Sequence, residues 1–342
     1  MGTDSLSTTF AIATQSAKGI KAAAFFGLRL TDATATPVPT VEETNDEFGG
    51  GAGLVATDAG YRLGIFSKLS ARGRVRAQYF PLILKWVGLG TITDSGTASA
   101  YTHVSTRSLT HATFPWVTVH AKHGASTNLL DRLIVDSRLT SLTIQAETNS
   151  LLKFSLEGMG IHEEIAVGSE TITSEAGVPL NTVQGSLAIN DSGGTELVGS
   201  VRSLTLQIEA QLTTGNEAMV IADHEMEDMV LLGHTVSGSA DVAFSKDAFL
   251  DMFYGGVGTA GSGYSLEQVE GALDVTFQSS SNITGEIVPY SLKFEIPHMV
   301  VNAQEFNASG RSEIRLPISF MAYASGTDEL ITATTVNDVA SY

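Results

Sequence analysis

Apolar and polar residues alternate with a period of two along much of this chain, and that period decides more than any other feature what it can fold into. Leu142, Ile144 and Ala146 face one way while Thr143, Gln145 and Glu147 face the other. Leu152, Phe154 and Leu156 stand opposite Lys153, Ser155 and Glu157, and Leu204, Leu206 and Ile208 opposite Thr205, Gln207 and Glu209. The pattern returns at Leu273, Val275 and Phe277 against Asp274, Thr276 and Gln278, and again over 292–296 and 314–320. A helix cannot keep such a set on one side; a strand does so automatically. Each segment thus reads as an antiparallel strand with one face for a core and one wetted face. Only 16% of the residues are charged, so the wetted faces draw on Ser, Thr, Asn, Gln and Gly, the surface chemistry of a mainly β protein.

The 342 residues suffice for about two domains. Their net charge of −18 is not spread evenly. Residues 1–153 hold 14 basic and 11 acidic residues, whereas residues 154–292 hold only Arg202 and Lys246 against 20 acids. An acidic chain is poorly suited to gripping nucleic acid through its phosphates. The absence of cysteine excludes disulfide scaffolds, thiolate metal sites and cysteine nucleophiles. No stretch approaches the ~20 apolar residues of a membrane helix, and the short run 22–28 is not read as a signal peptide.

Two short helices interrupt the strands. Phe80, Ile83, Leu84 and Val87 repeat at helical spacing before Gly88, and Phe249, Met252 and Phe253 do so between Ser245 and Gly255. Strand, helix, further strands and a final strand pair therefore occur once from Tyr61 and again from His234, which suggests internal duplication. The expected division is an N-terminal arm over 1–35, a long acidic and glycine-rich loop over 36–60, a β domain over 61–165, a linker over 166–200, a second β domain over 201–324 and a C-terminal arm over 325–342. Pro317 directs its strand toward an edge or a bulge.

Nothing in the motifs points to catalysis. The run Gly256–Gly261 fits G-x-G-x-x-G, but a helix precedes it and a strand follows, the reverse of a dinucleotide site. His224-Glu225-Met226-Glu227-Asp228 is dense in potential ligands yet lacks the spacing of a zinc or calcium motif, as does His162-Glu163-Glu164. There is no G-x-S-x-G elbow. No catalytic residue, metal or cofactor is expected. Arg72, Arg74 and Arg76 share one face if their segment is a strand, and we expect them to meet an acidic surface.

The segments "STTFAIATQSAKGIKAAAFFGLRLTD", "AGYRLGIFSKLSARG", "LILKWVGLG" and "RLIVDSRLTSLTIQAETNSLLKFSLEGMG" resemble the major tail tube proteins of long-tailed bacteriophages. The resemblance implies two tail-tube-type β-sandwich or half-barrel domains, each with a short flanking helix, joined by extended arms and loops. It implies a non-enzymatic virion protein, assembled in the host cytoplasm, whose rings (trimeric and pseudo-hexameric for a duplicated chain) stack into a hollow tube that conducts DNA. Its partners would be further copies and the tail terminator, tape measure and tail tip proteins. Thr143, Gln145, Glu147, Glu157, Asp274 and Thr276 become candidates for the lumen, with DNA passing and not binding tightly. Arg72, Arg74, Arg76, Glu42, Glu43, Asp46 and Glu47 become candidates for contacts between subunits. The alternative is an adhesin or other β-sandwich binding module of a virion or cell surface.

Overall fold

The computed structural model describes residues 9–42, 61–97, 99–107, 110–123, 130–165, 170–191, 201–221, 223–243, 270–303 and 315–342. These form 17 strands and one α-helix. The first half supplies β1 (Thr9–Thr14), β2 (Ala24–Gly27), β3 (Leu30–Glu42), β4 (Tyr61–Arg74), α1 (Phe80–Trp86), β5 (Thr91–Thr97), β6 (Ala100–Thr106), β7 (Val117–His123), β8 (Leu130–Glu147) and β9 (Lys153–Ile165). The second supplies β10 (Thr171–Ser174), β11 (Asn181–Asp191), β12 (Val201–Leu212), β13 (Leu231–Ala243), β14 (Glu270–Asn282), β15 (Pro289–Ala303), β16 (Arg315–Ala322) and β17 (Thr332–Asn337). The protein is mainly β, as the alternation requires.

One unbroken antiparallel run organises these strands: β3, β4, β9, β8, β12, β13, β16, β15, β14, β11. Two strands in it are long enough to serve two neighbours along one edge. The first part of β8 pairs with β7 and its last part with β12. Likewise β15 pairs with β17 through Ser291–Glu295 and with β16 through Met299–Ala303. The change of partner in β8 coincides with Asp136 at φ 52° and a register shift between Leu139 and Ser141. There Gly160 on β9 is indispensable, because a Cβ would stand 2.1 Å from Ile134 Cγ2. A second layer follows from these branches, β7–β1–β2–β10 on one side and β17–β6–β5 on the other.

The core lies between the layers and draws on the whole chain, from Phe10 and Ile12 through Leu142, Leu206 and Phe294 to Ala333. Helix α1 fills it from one end: Phe80, Leu82, Ile83, Leu84 and Trp86 are buried, and Trp86 Nε1 donates to Thr14 Oγ1 at 2.9 Å. Gly88 ends the helix at φ 99°. The segments expected as arms are paired within the fold over 9–30 and 332–337: β1 is almost wholly buried, and Asn337 Nδ2 donates to Ala77 O at 2.8 Å.

Two local expectations need correction. Residues 36–42 were expected in a loop but continue β3, despite Pro37 and Pro39. The two prolines sit two residues apart opposite Ser67 and Ile65. Their missing N–H groups thus fall on the side turned away from β4, where no ladder bond is needed. Pro317 lies in a strand paired on both sides: it faces Asp241 of β13, and among the described residues the ladder between β16 and β15 runs from Ile318 to Ala322. The second helix, the glycine loop 256–261 and the positions Glu43, Asp46 and Glu47 lie outside the described residues.

Candidate functional site: a polar sheet face and the strap that bounds it

Register places the alternating polar residues of separate strands in rows. One row reads Arg74, Lys153, Gln145, Thr205, Ser239, Ser319 across β4, β9, β8, β12, β13 and β16. The next reads Arg72, Ser155, Thr143, Gln207, Ser237, Met321, and a third reads Ser70, Glu157, Ser141, Glu209, Thr235. Between them run buried rows such as Ala71, Leu156, Leu142, Ile208, Val236. The face continues onto β14 and β15, where a register shift between Gly271 and Leu273 re-phases the strands so that Asp274, Thr276, Lys293 and Glu295 stay on the side opposite buried Leu292 and Phe294. Lys293 lies 2.9 Å from Asp274 and 2.7 Å from Glu295, and these carboxylates raise its pKa.

The lumen candidates Thr143, Gln145, Glu147, Glu157, Asp274 and Thr276 therefore share one polar face. The structure adds what sequence did not anticipate: Arg72 and Arg74 stand on that same face, beside Thr143 and Gln145. With Lys153 and Thr31 they line a groove of about 420 Å³ at one end of the strands. Lys153 is 3.4 Å from Glu147. Arg76 does not join them. It follows the end of β4 and points into the body, 3.5 Å from a buried Glu175. Burial lowers the Arg76 pKa and raises that of Glu175, which also accepts from Arg29 N. Glu42 is the last residue of β3, paired through its backbone with Tyr61.

At the other end of the strands the face becomes apolar and is covered. The described residues between β12 and β13 (213–221 and 223–230) form a strap across β4 and β9, and its Ala218, Met226 and Met229 pack on Phe66 and Ile161 beneath it. Ile65 N donates to His224 O at 2.9 Å. His162 Nδ1 meets Glu225 Oε1 at 2.8 Å, a hydrogen bond that holds the imidazole above its ordinary pKa. His111 lies 3.4 Å from Asp228, and Lys18 donates to Glu227 O. The densest acidic cluster of the sequence is thus a belt of ties between the two halves of the chain.

Arg138 anchors the strap. Only 1% exposed, it donates to Met229 O and to Phe114 O (3.2 Å), and its guanidinium stacks 3.8 Å from the Trp116 ring centroid. Its burial lowers the pKa to about 10. Sequence gave no signal for this residue, because an arginine in an alternating strand reads as a surface charge until the chain that covers it is known.

No curated protein matches the chain. A family model described as phage tail tube protein matches residues 6–322, nearly the full length. A mainly β chain that spreads one broad polar face over strands from both of its halves, and that matches this model almost end to end, belongs to the phage tail tube protein family.

Proposed function

We propose that copies of this chain assemble as trimeric, pseudo-hexameric rings that stack into the tail tube of a long-tailed phage, with DNA leaving through the bore. The observation that carries this reading is the continuous polar face. A duplex carries about one phosphate charge per 1.7 Å of axis, and each phosphate contact by a cation adds affinity. Over most of the face Thr143, Gln145, Glu157, Glu209 and Thr276 offer hydroxyls, amides and carboxylates, which let a polyanion slide, while its cations are confined to Arg72, Arg74 and Lys153 at one end and to Lys293, which is paired with Asp274 and Glu295. A closed ring also satisfies sheet edges such as that of β11, which beyond its ladder to β14 meets the 150–151 turn only through Asn181 and Thr182 among the described residues.

In this reading the domains span 61–165 and 201–324, and residues 36–60, with Glu42, Glu43, Asp46 and Glu47, bridge neighbouring subunits. Assembly takes place in the host cytoplasm, and the finished tube contacts terminator, tape measure and tip proteins. Negative-stain electron microscopy of purified protein, concentrated or warmed, tests it. Rings with a central hole, or tubes, are expected; a protein that stays monomeric at every concentration refutes the assembly.

A further inference from the structure

The strands of the long antiparallel run share two ends, and the ends differ in chemistry. At one end β3 and β9 begin and β4 stops, which gathers Arg29, Arg74, Lys153 and Arg202, all exposed. Arg29 and Arg74 are close enough to each other's surroundings that both depress the pKa of Arg76. Carboxylates stand beside this group too, Glu147 on Lys153, Glu175 on Arg76, Asp32 opposite Arg72 and Asp241 opposite Ser203, but the cations, Arg72 and Arg76 included, outnumber them. At the opposite end lies the strap with Glu217, Asp223 and Glu227 exposed, flanked by Glu164, which pairs with Lys21 at 2.8 Å.

Several exposed apolar groups gather at the strap end, although Val183 on β11 and Met321 on β16 are exposed as well. Val41 near the end of β3, Leu63 near the start of β4, Ile165 at the end of β9 and Leu232 at the start of β13 are more than half exposed, and Ile221 at the tip of the strap is 100% exposed. All five belong to the acidic end. They come from separate segments of the chain and lie across the width of the sheet, which suits a broad end-on contact rather than a small-ligand pocket. Large exposed apolar groups gathered on one side of a protein mark a contact surface.

We infer that the strap end of one copy docks onto the Arg29–Arg74–Lys153–Arg202 end of the next, in a head-to-tail contact that sets the polarity of the stacked tube. The inference rests on the tube reading and names its stacking surface. The partner is a second copy because the two surfaces complement each other in charge on a single chain, and a contact between different patches repeats without closing. The strap tip and its apolar neighbours are sealed at the centre, and the carboxylates of Glu217, Asp223 and Glu227 meet the cations around them. The strap crosses β4 at Ile65, so the two surfaces lie about 30 Å apart along that strand at ~3.3 Å per residue, and one copy cannot satisfy both within itself.

Charge reversal provides the test. Glu217→Lys/Asp223→Lys/Glu227→Lys in one variant and Arg29→Glu/Arg74→Glu/Lys153→Glu in another should each raise the concentration needed for stacking by roughly tenfold or more. An equimolar mixture should restore it, because each reversed surface then meets an opposite one. Sedimentation velocity and electron microscopy read the result, with circular dichroism confirming that both variants fold. The chain has no cysteine, so Arg74→Cys/Asp223→Cys can be oxidised as an independent measurement. A ladder of oligomers linked 74-to-223 supports the contact. Stacked wild-type rings with no such ladder, or a mixture that fails to recover, overturn the contact and leave the tube reading standing. Failure of the wild type to self-associate at all overturns both.

Discussion

Arg138 shows how much one side chain holds. Its guanidinium joins β8, the 111–116 segment and the strap, and no water can replace it where it is buried. Arg138→Met would leave the carbonyls of Met229 and Phe114 without donors and should cost about 3 kcal/mol, measured by denaturant unfolding. Gly88 is constrained in two ways, by its φ of 99° and by a Cβ that would stand 2.0 Å from His234 Nε2. Gly88→Ala should therefore destabilise by roughly 2 kcal/mol or more in the same assay.

The pH dependence of the strap follows from His162. Its folded pKa lies above the unfolded value, because the charged imidazole is held by Glu225, with Glu164 at 3.8 Å and Asp136 also favouring the cation. Its contribution is thus complete below about pH 6.5 and is lost as pH rises through the folded value. Hydrogen exchange at residues 218–227, corrected for intrinsic rates, should quicken between about pH 6 and pH 9. In His162→Gln that acceleration should disappear; if it persists unchanged, another group governs the strap.

Among the elements, β3 carries the clearest design. Among the described residues β3 pairs only with β4, an exposed edge of this length invites unwanted pairing, and Pro37 and Pro39 remove two outward donors from it. Pro37→Val/Pro39→Val should fold with β3 intact but aggregate or mis-assemble at concentrations where the wild type stays soluble, as light scattering would report. Alternation located β8, β9, β12, β14 and β15 correctly, since Leu142, Ile144, Phe154, Leu206, Val275 and Phe294 are all buried while the residues between them are not. It failed for β3, where proline and acidic residues imitate a loop, and it left Pro317 ambiguous. The reason is the same in both: a proline tolerated in a strand depends on which edge has a partner, a property of the neighbour and not of the segment.

On the scale of the molecule, the polar face is the product of many strands brought into register. Placing cations in it should alter passage of DNA without altering the fold, because these side chains point away from the core. Thr143→Lys/Glu157→Lys/Glu209→Lys is expected to form normal tubes that retain DNA at low salt and release it as salt rises. Tubes of this variant that pass DNA at the wild-type rate would remove this face from the bore.

The sequence by itself determined that this is a β protein, which residues of each strand face the core, that α1 ends at Gly88, and to which family the chain is akin. Those properties are local: a two-residue period, a helical spacing and a glycine act through the nearest neighbours along the chain. The tertiary structure decided that the polar faces of β4, β9, β8, β12, β13 and β16 form one surface, that Arg72 and Arg74 belong to it while Arg76 turns inward to Glu175, and that an acidic strap anchored by buried Arg138 closes one end. These depend on register between segments far apart in the chain, and a shift of one residue would send every side chain of a strand to the opposite face.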